Sequence, residues 1–167
     1  LPSGDLPFFG LCRLLTGAKS FDEAHDMASR GDASSVNLLV SDIYGDESRP
    51  FGLPGDITAS FFGKVICDAE KLKDFKEDDI ARALIVMVTQ NIAQVAFLNA
   101  QITQLERVVF TGNFLRRNFV ANHTLGYAFK RWSDIDKRTP LVEPLFLRHE
   151  GCLGSLGAYL ENLNLRS

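Results

Sequence analysis

Cysteine and positive charge are both scarce in this sequence. Only three of its 167 residues are cysteine, and Cys12, Cys67 and Cys152 are widely spaced. A disulfide framework is typical of short secreted chains with an even number of cysteines, so we expect reduced, partly buried thiols of an intracellular protein. The formal net charge is −3, which argues against the strongly basic face that nucleic-acid binding requires.

Long hydrophobic runs are missing as well. The longest, such as residues 83–88, fall far short of the roughly 20 apolar residues of a membrane span, so we expect none. Residues 1–10 lack the basic segment and apolar core of a signal peptide, and we therefore expect a cytoplasmic protein. The first residue is leucine, and the sequence leaves open whether the chain is a fragment or a true short form.

Complete catalytic motifs are also absent from the sequence. It contains neither a Walker loop nor a Rossmann fingerprint. His25, His123 and His149 are far apart along the chain. His149 and Cys152 have a conceivable metal spacing, but two ligands do not make a zinc site. The sequence by itself therefore indicates no catalytic residue and no metal ligand.

The composition, with 46% hydrophobic and 23% charged residues, predicts a single globular domain over residues 1–167. Residues 77–104 contain no glycine or proline and carry apolar residues at helical spacing, which predicts a long helix buried on two sides. Residues 20–31 form a second predicted helix, with a capping box at Ser20 and Glu23 and a stop at Gly31.

The remaining predicted elements are short. We expect a loop or a torn strand in residues 1–11, a helix in residues 36–43 and a strand in residues 57–62, after which residues 65–66 extend the strand or begin a short helix. A strand in residues 143–147 precedes a glycine-rich helix whose small residues share one face. Together these elements predict a mixed α/β protein.

The stretch from Arg107 to Trp132 organises the chain. Val108, Val109 and Phe110 predict a buried strand, and Gly112 follows where the backbone must turn or a ligand can approach closely. Arginines then follow, and a guanidinium group suits phosphate oxygens. The pattern favours a nucleotide or phosphorylated ligand at the strand's carboxyl end. An ordinary strand-to-helix junction with solvent-facing arginines is the alternative.

Five motifs occur in a specific order: GLCRLLTGAKSFDEAHDMASRGD, SDIYGDESRPFGLPGDITASFFGK, EDDIARAL, ERVVFTGNFLRRN and LFLRHEGCLGSLGAYL. In this order the chain closely resembles the C-terminal half of the eukaryotic (type II) pantothenate kinases. The resemblance extends from about residue 10 to about residue 160. Its most specific segments are VVFTGNFLR and LFLRHEGCLGSLG.

The resemblance implies an actin/Hsp70/acetate-kinase-like (ribonuclease-H-like) fold, in which a mixed sheet has flanking helices. It implies ATP-dependent phosphorylation of pantothenate to 4′-phosphopantothenate, the first step of coenzyme A biosynthesis. It further implies a homodimer that acyl-CoA inhibits, and Mg²⁺ whose ligands lie outside this chain.

The resemblance also assigns residues to sites. The nucleotide site would be formed by Gly112, Asn113, Phe114 and Arg116. The pantothenate and acyl-CoA channel would be lined by Tyr44, Leu53, Ile57, Thr58, Ala59 and Ser60, and reached from the partner subunit by Ala128 and Trp132.

Several positions depart from the family pattern. Residues 3–9 replace a glycine-rich phosphate loop, and the family's first phosphate loop and catalytic glutamate would lie N-terminal to this stretch. Phe61, Ser48 and Phe97 replace serine, tyrosine and, in some members, arginine. We therefore expect the chain alone to be inactive. The alternative function is a non-catalytic, truncated paralogue that acts as a dimerisation or regulatory module.

Overall fold

The computed structural model describes residues 5–45, 53–67, 74–116, 118–135, 141–147 and 153–164. Within these ranges the protein is mixed α/β, mostly helical, with two sheets of two short strands each. The chain divides into two compact units, residues 1–91 and 92–167. The expected α/β class is confirmed, whereas the expectation of a single domain stays a prediction.

The first unit begins with helix α1, Asp5–Thr16. The prediction of a loop or torn strand in residues 1–11 is therefore wrong for residues 5–10. Pro7 lies in the first turn of α1, where the helix does not need its missing amide. Phe8 is buried, and its ring meets Phe21 at 6.1 Å and His25 at 5.4 Å, both edge-on. These tertiary contacts stabilise a helix that local sequence does not indicate.

Helix α2, Phe21–Arg30, begins and ends where the sequence predicts. The Glu23 amide donates to Ser20 Oγ at 3.1 Å, and the Gly31 amide donates to the Met27 carbonyl at 3.1 Å. The Glu23 carboxylate reaches back one residue further than a capping box requires, because it accepts from the Lys19 amide at 2.8 Å. Both ends of α2 are thus determined by local hydrogen bonds.

The predicted helix over residues 36–43 is wrong in part. Residues Leu38–Leu39 form strand β1, and only Val40–Tyr44 form a helix, α3. Strand β2, Thr58–Ser60, pairs antiparallel with β1, which confirms the centre of the strand predicted for residues 57–62. Helix α4, Gly63–Cys67, follows directly. Pairing with a segment about 20 residues away determines the strand, and helical periodicity cannot reveal such a partner.

Helix α5, Glu77–Ile102, starts where the sequence predicts and ends two residues earlier than predicted. In the first unit its surface is well covered, and Ala81, Leu84 and Ile85 are buried. Further along, Val95, Leu98 and Ile102 are exposed. The expectation of burial on two sides is therefore confirmed only for the N-terminal part.

By length and composition, α5 is the one helix among the described residues that could cross a membrane. Its apolar residues do not form one uninterrupted run, because polar residues from Thr89 to Asn91 interrupt them. Core helices of soluble proteins meet the same criterion, and 39% of its most apolar window is buried within the protein. Length and composition do not assign α5 to a membrane, and the expected lack of a membrane span stays a prediction.

The second unit contains strands β3, Arg107–Phe110, and β4, Glu143–Phe146, which are parallel and in register. Helix α6, Phe119–Ile135, connects them, and helix α7, Leu153–Asn164, follows β4. The strands predicted at 108–110 and 143–147 and the helix predicted around 120–132 are confirmed. The expectation that residues 108–110 form a buried strand is wrong in part, because Val109 is 54% exposed and of the three only Phe110 is buried. Buried aromatic and aliphatic side chains of α6 and β3, including Phe110, Leu125 and Phe129, form the core of this unit.

Candidate functional site

The predicted channel residues of the first unit lie together in what we call the α3–β2 region, residues 40–44 and 53–60. The Val40 amide donates to the Ile57 carbonyl at 2.9 Å, and the Ser41 amide donates to the Gly55 carbonyl at 3.0 Å. Ala59, Ser60 and Tyr44 are exposed, whereas the other predicted channel residues, Leu53, Ile57 and Thr58, are half-buried. These backbone contacts join α3 to the segment that leads into β2, and the six predicted residues lie on these two segments, three of them exposed.

An ion pair that the sequence did not indicate supports this region. Lys64 Nζ lies 2.8 Å from Asp42 Oδ2 and donates to the Ser34 carbonyl at 2.9 Å. The Asp42 carboxylate also accepts from the Leu39 amide at 2.7 Å. The hydrogen bond from Lys64, followed by that from Leu39, lowers the pKa of the Asp42 carboxyl. Lys64 therefore links α4 to α3 and to the turn before β1.

A buried amide supports the turn that follows β2. Asn37 is 1% exposed, and its Oδ1 accepts from the Phe62 amide at 3.0 Å. Phe62 has a positive φ of 57°, which is uncommon for a bulky residue. A Cβ on Gly63 would lie 2.5 Å from the Leu38 Cβ, so only glycine fits there. Sequence reasoning had no signal for this arrangement, because its partners are 25 residues apart.

The predicted nucleotide residues lie in the second unit, in what we call the β3–α6 turn, residues 111–116. Gly112 follows the carboxyl end of β3 with a φ of 120° and is exposed. A 3-10 turn, Asn113–Leu115, follows it, and the Leu115 amide donates to the Gly112 carbonyl at 3.2 Å. Phe114 is buried and Arg116 is exposed. The predicted position of Gly112 at a strand's carboxyl end is therefore confirmed.

Asn118 joins this turn to α6, and sequence reasoning missed it. Its Nδ2 donates to the Phe114 carbonyl at 2.9 Å, and its Oδ1 accepts from the Ala121 amide at 3.0 Å. The second contact is an N-cap of α6. Asparagine directly before a predicted helix is a known N-cap signal, which could have located the helix start one residue earlier.

Aromatic rings of α5, β3 and α6 pack against one another in the second unit. Phe129 meets Phe97 at 5.4 Å and Phe110 at 5.6 Å, both nearly edge-on, and Trp132 meets Phe97 at 5.4 Å. Trp132 is half-buried, as expected for a tryptophan near a helix end, whereas Ala128 is buried. Phe97, at a position where the resemblance implies arginine in some family members, is a buried residue of this cluster.

One cavity of about 740 Å³ lies in the first unit, among α1, α2 and the first turn of α5. Its lining is mainly polar and includes Thr16, Asp26, Arg30 and Asp78, and Arg30 Nε donates to Asp78 Oδ2 at 2.9 Å. No predicted site residue lines it. Throughout the described ranges, no group of three or more His, Cys, Asp or Glu residues could hold a metal ion.

A model of the family described as Fumble matches residues 4–161 of this chain. The chain belongs to the Fumble family. Fumble is the family of the type II pantothenate kinases and belongs to the actin-like ATPase fold, so the family resemblance drawn from the motifs is confirmed.

Named relatives support the Fumble assignment. The chain is 41% identical over 155 residues to the pantothenate kinase of Schizosaccharomyces pombe. The aligned residues cover 92% of this chain and 37% of that protein. It is also 41% identical over 155 residues to pantothenate kinase 2 of rice (Oryza sativa subsp. japonica), covering 92% of this chain and 16% of that protein.

Another similar protein has a different named activity. The chain is 42% identical over 154 residues to the 4′-phosphopantetheine phosphatase of mouse (Mus musculus), covering 92% of this chain and 18% of that protein. The Fumble chain thus spans well under half the length of these three relatives.

Proposed function

We propose that this chain is the C-terminal part of an ATP-dependent pantothenate kinase, which forms 4′-phosphopantothenate in the first step of coenzyme A biosynthesis. One observation carries the proposal: Gly112, at the carboxyl end of a parallel strand, has a positive φ and is exposed. Ligands of open α/β sheets bind outside the carboxyl ends of strands. In this family of kinases, ATP is the expected ligand there.

On the nucleotide side, each predicted residue has a distinct task. The backbone of Gly112 and Asn113 allows a phosphate or ribose to approach closely, because no Cβ stands at Gly112. The exposed Arg116 guanidinium suits phosphate oxygens. Phe114 is buried, so it contributes by anchoring the turn rather than by touching the nucleotide.

On the substrate side, the α3–β2 region would form the pantothenate and acyl-CoA channel. Half-buried Leu53 and Ile57 offer apolar side chains and half-buried Thr58 offers a methyl group and a hydroxyl, while Ala59 and Ser60 are exposed. Trp132 is half-buried, and a partner subunit in a homodimer would cover it beside such a channel. We propose a cytoplasmic location for this activity.

Nucleotide binding is the direct test of the nucleotide-side proposal. Titration of the chain with ATP should give saturable binding, and Arg116→Ala should weaken it. Arg107→Ala is the matched control, because Arg107 is an exposed arginine at the opposite end of β3. Saturable binding that Arg116→Ala leaves unchanged, or no binding at all, would remove the nucleotide side of the proposal.

Activity of the chain alone provides a second test. The phosphate loop and catalytic glutamate that the resemblance implies are not within these 167 residues. Phosphoryl transfer depends on positioning and charge stabilisation that such groups supply. We therefore expect no 4′-phosphopantothenate from ATP, Mg²⁺ and pantothenate, and robust product formation would show that this chain is a complete enzyme.

Trp132 is the natural reporter for the dimer. An aromatic ring covered at an interface changes its environment, so its fluorescence emission should shift to shorter wavelength as protein concentration or acetyl-CoA increases. Ultracentrifugation of the same samples measures association independently. Dimer formation without any change in emission would place Trp132 away from the interface.

The mouse relative favours a second candidate function, because a similar domain occurs there in a protein named for another reaction. In that case this chain would be a non-catalytic dimerisation or regulatory module. Mixing it with an intact pantothenate kinase should then yield a mixed complex by native mass spectrometry and alter the kinase rate. If neither effect is seen, the non-catalytic module is excluded and the pantothenate kinase proposal remains.

A further inference from the structure

We infer that Asn118 is a positioning residue for the nucleotide-binding β3–α6 turn, with Asn122 as its second support. The inference rests on the proposed function, because it names residues that hold the proposed nucleotide site without touching the nucleotide. Asn118 ends the motif ERVVFTGNFLRRN, but the family resemblance assigns neither asparagine to a site.

The contacts of Asn118 connect two elements through one side chain. Asn118 is 2% exposed. Its Nδ2 donates to the Phe114 carbonyl at 2.9 Å while its Oδ1 accepts from the Ala121 amide at 3.0 Å. Its own backbone amide donates to the Leu115 carbonyl at 3.2 Å. A single buried residue thus caps α6 and holds two consecutive carbonyls of the turn.

Asn122 repeats the contact one helical turn later. Its Nδ2 donates to the Leu115 carbonyl at 3.4 Å, and its backbone amide donates to the Asn118 carbonyl at 3.0 Å. Residues four apart share one face of a helix. The face of α6 that carries both asparagines therefore fixes the carbonyls of Phe114 and Leu115 from the same side.

Fixed carbonyls determine the path of the turn. A peptide group is planar, so holding the carbonyls of Phe114 and Leu115 also orients the amides that follow them. The second of these peptides ends at Arg116, and Gly112 lies two residues before Phe114; both residues are exposed. A turn held in this way is already ordered before ligand binds. Binding therefore avoids the loss of conformational entropy that ordering a flexible loop would require.

Asparagine suits this position for a specific chemical reason. Its amide carries a donor and an acceptor in one plane, and the site uses both at once. Aspartate would retain the acceptor but place a carboxylate against the Phe114 carbonyl. Serine would retain an oxygen that caps the helix, because serine and asparagine cap helices about equally well. Its side chain is too short to reach the Phe114 carbonyl at the same time.

The test is Asn118→Ser, which separates capping from positioning. Its matched control is Asn99→Ser, because Asn99 Nδ2 also donates to a carbonyl four residues earlier, Val95 at 2.7 Å, on the exposed surface of α5. We expect about tenfold weaker ATP binding in Asn118→Ser, equivalent to roughly 1.4 kcal/mol. We also expect faster amide hydrogen exchange at Leu115, an effect that the control should not show.

Hydrogen exchange keeps this inference distinguishable from the proposed function. If the unmodified chain fails to bind ATP, the proposed function fails, and exchange at Leu115 alone decides whether Asn118 holds the turn. Unchanged exchange and unchanged ATP affinity in Asn118→Ser would overturn the inference. Should Asn118→Ser not fold, Asn122→Ser removes only the Leu115 contact, and it should give a smaller loss of affinity, about threefold; no loss would count against the inference.

Discussion

The two regions that were predicted to contact ligands each lie next to a buried asparagine, Asn37 in the first unit and Asn118 in the second, but their further contacts differ. In the first unit, charged groups support the α3–β2 region, above all the pair of Lys64 with Asp42 at 2.8 Å. In the second unit, the neutral amide of Asn118 holds the β3–α6 turn, and the rings around Phe129 pack against Phe110 at the end of β3. Ion pairs weaken with salt and with protonation, whereas buried amides and apolar packing respond mainly to mutation. The two regions should therefore respond differently to the same perturbation.

The largest effect is expected for Phe129→Ala in the second unit. Phe129 is fully buried and packs against Phe97 and Phe110. Truncating a buried phenylalanine costs roughly 3–5 kcal/mol, through lost apolar burial and the cavity left behind. Urea unfolding measures this change in the free energy of unfolding.

Phe119→Ala is the control for that measurement, since Phe119 lies on the same helix and is 84% exposed. Exposed positions usually change stability by less than about 0.5 kcal/mol. If both variants lose a similar free energy of unfolding, packing around Phe129 does not contribute specially to the stability of the second unit.

Gly112→Val should have the next largest effect. No heavy atom lies within 4 Å of a Cβ built on Gly112, but its φ of 120° is one that side chains rarely adopt. Strained backbone of this kind costs about 1–3 kcal/mol, and relaxation of the turn should weaken ATP binding.

Gly126→Val is the control, because Gly126 is in α6, also has open space around it and has no such φ. Calorimetry of unfolding and an ATP titration of both variants provide the comparison. Normal stability and ATP affinity in Gly112→Val would reduce Gly112 to an ordinary turn residue.

Lys64→Met tests the charged support of the first unit. The substitution keeps an apolar stem but removes the ion pair with Asp42 and the hydrogen bond to the Ser34 carbonyl. A loss of about 1 kcal/mol is expected for such a partly exposed pair. The free energy of unfolding is measured at low salt and in about 1 M NaCl, where charges are strongly screened. Salt should lower it in the unmodified chain more than in the variant, which has no ion pair to screen. An equal salt response in both would argue against electrostatic support.

Acid should affect the same region, with a smaller effect. The pKa of the Asp42 carboxyl is lowered by the hydrogen bonds from Lys64 and then Leu39. A carboxyl whose pKa is lower in the folded chain stabilises it above the unfolded value of about 3.9. That contribution is lost as pH falls through the folded value. Asp42→Asn should therefore flatten the loss of stability below about pH 4, which urea unfolding at a series of pH values measures; an unchanged profile would argue against a role of Asp42 in acid stability.

Local chemistry explains which elements could be predicted. Ser20, Glu23 and Gly31 form their hydrogen bonds with residues within four positions along the chain. The ends of α2 can therefore be predicted from the local sequence. The same holds for Gly112, whose role follows from an apolar strand that ends at a glycine. Family membership could also be predicted from the sequence, because it depends on the order of whole motifs rather than on any contact.

The sequence by itself thus determined the caps of α2, the start of α5, the strand before Gly112 and the family. Only the tertiary structure decided that residues 5–10 are helical, that Leu38–Leu39 are a strand, and that Lys64 and Asn37 support the α3–β2 region. The physical reason is distance along the chain. Phe8 packs on Phe21 and His25, β1 pairs with β2, and Lys64 bonds to Ser34 thirty residues away, and no local pattern encodes partners that only folding brings together.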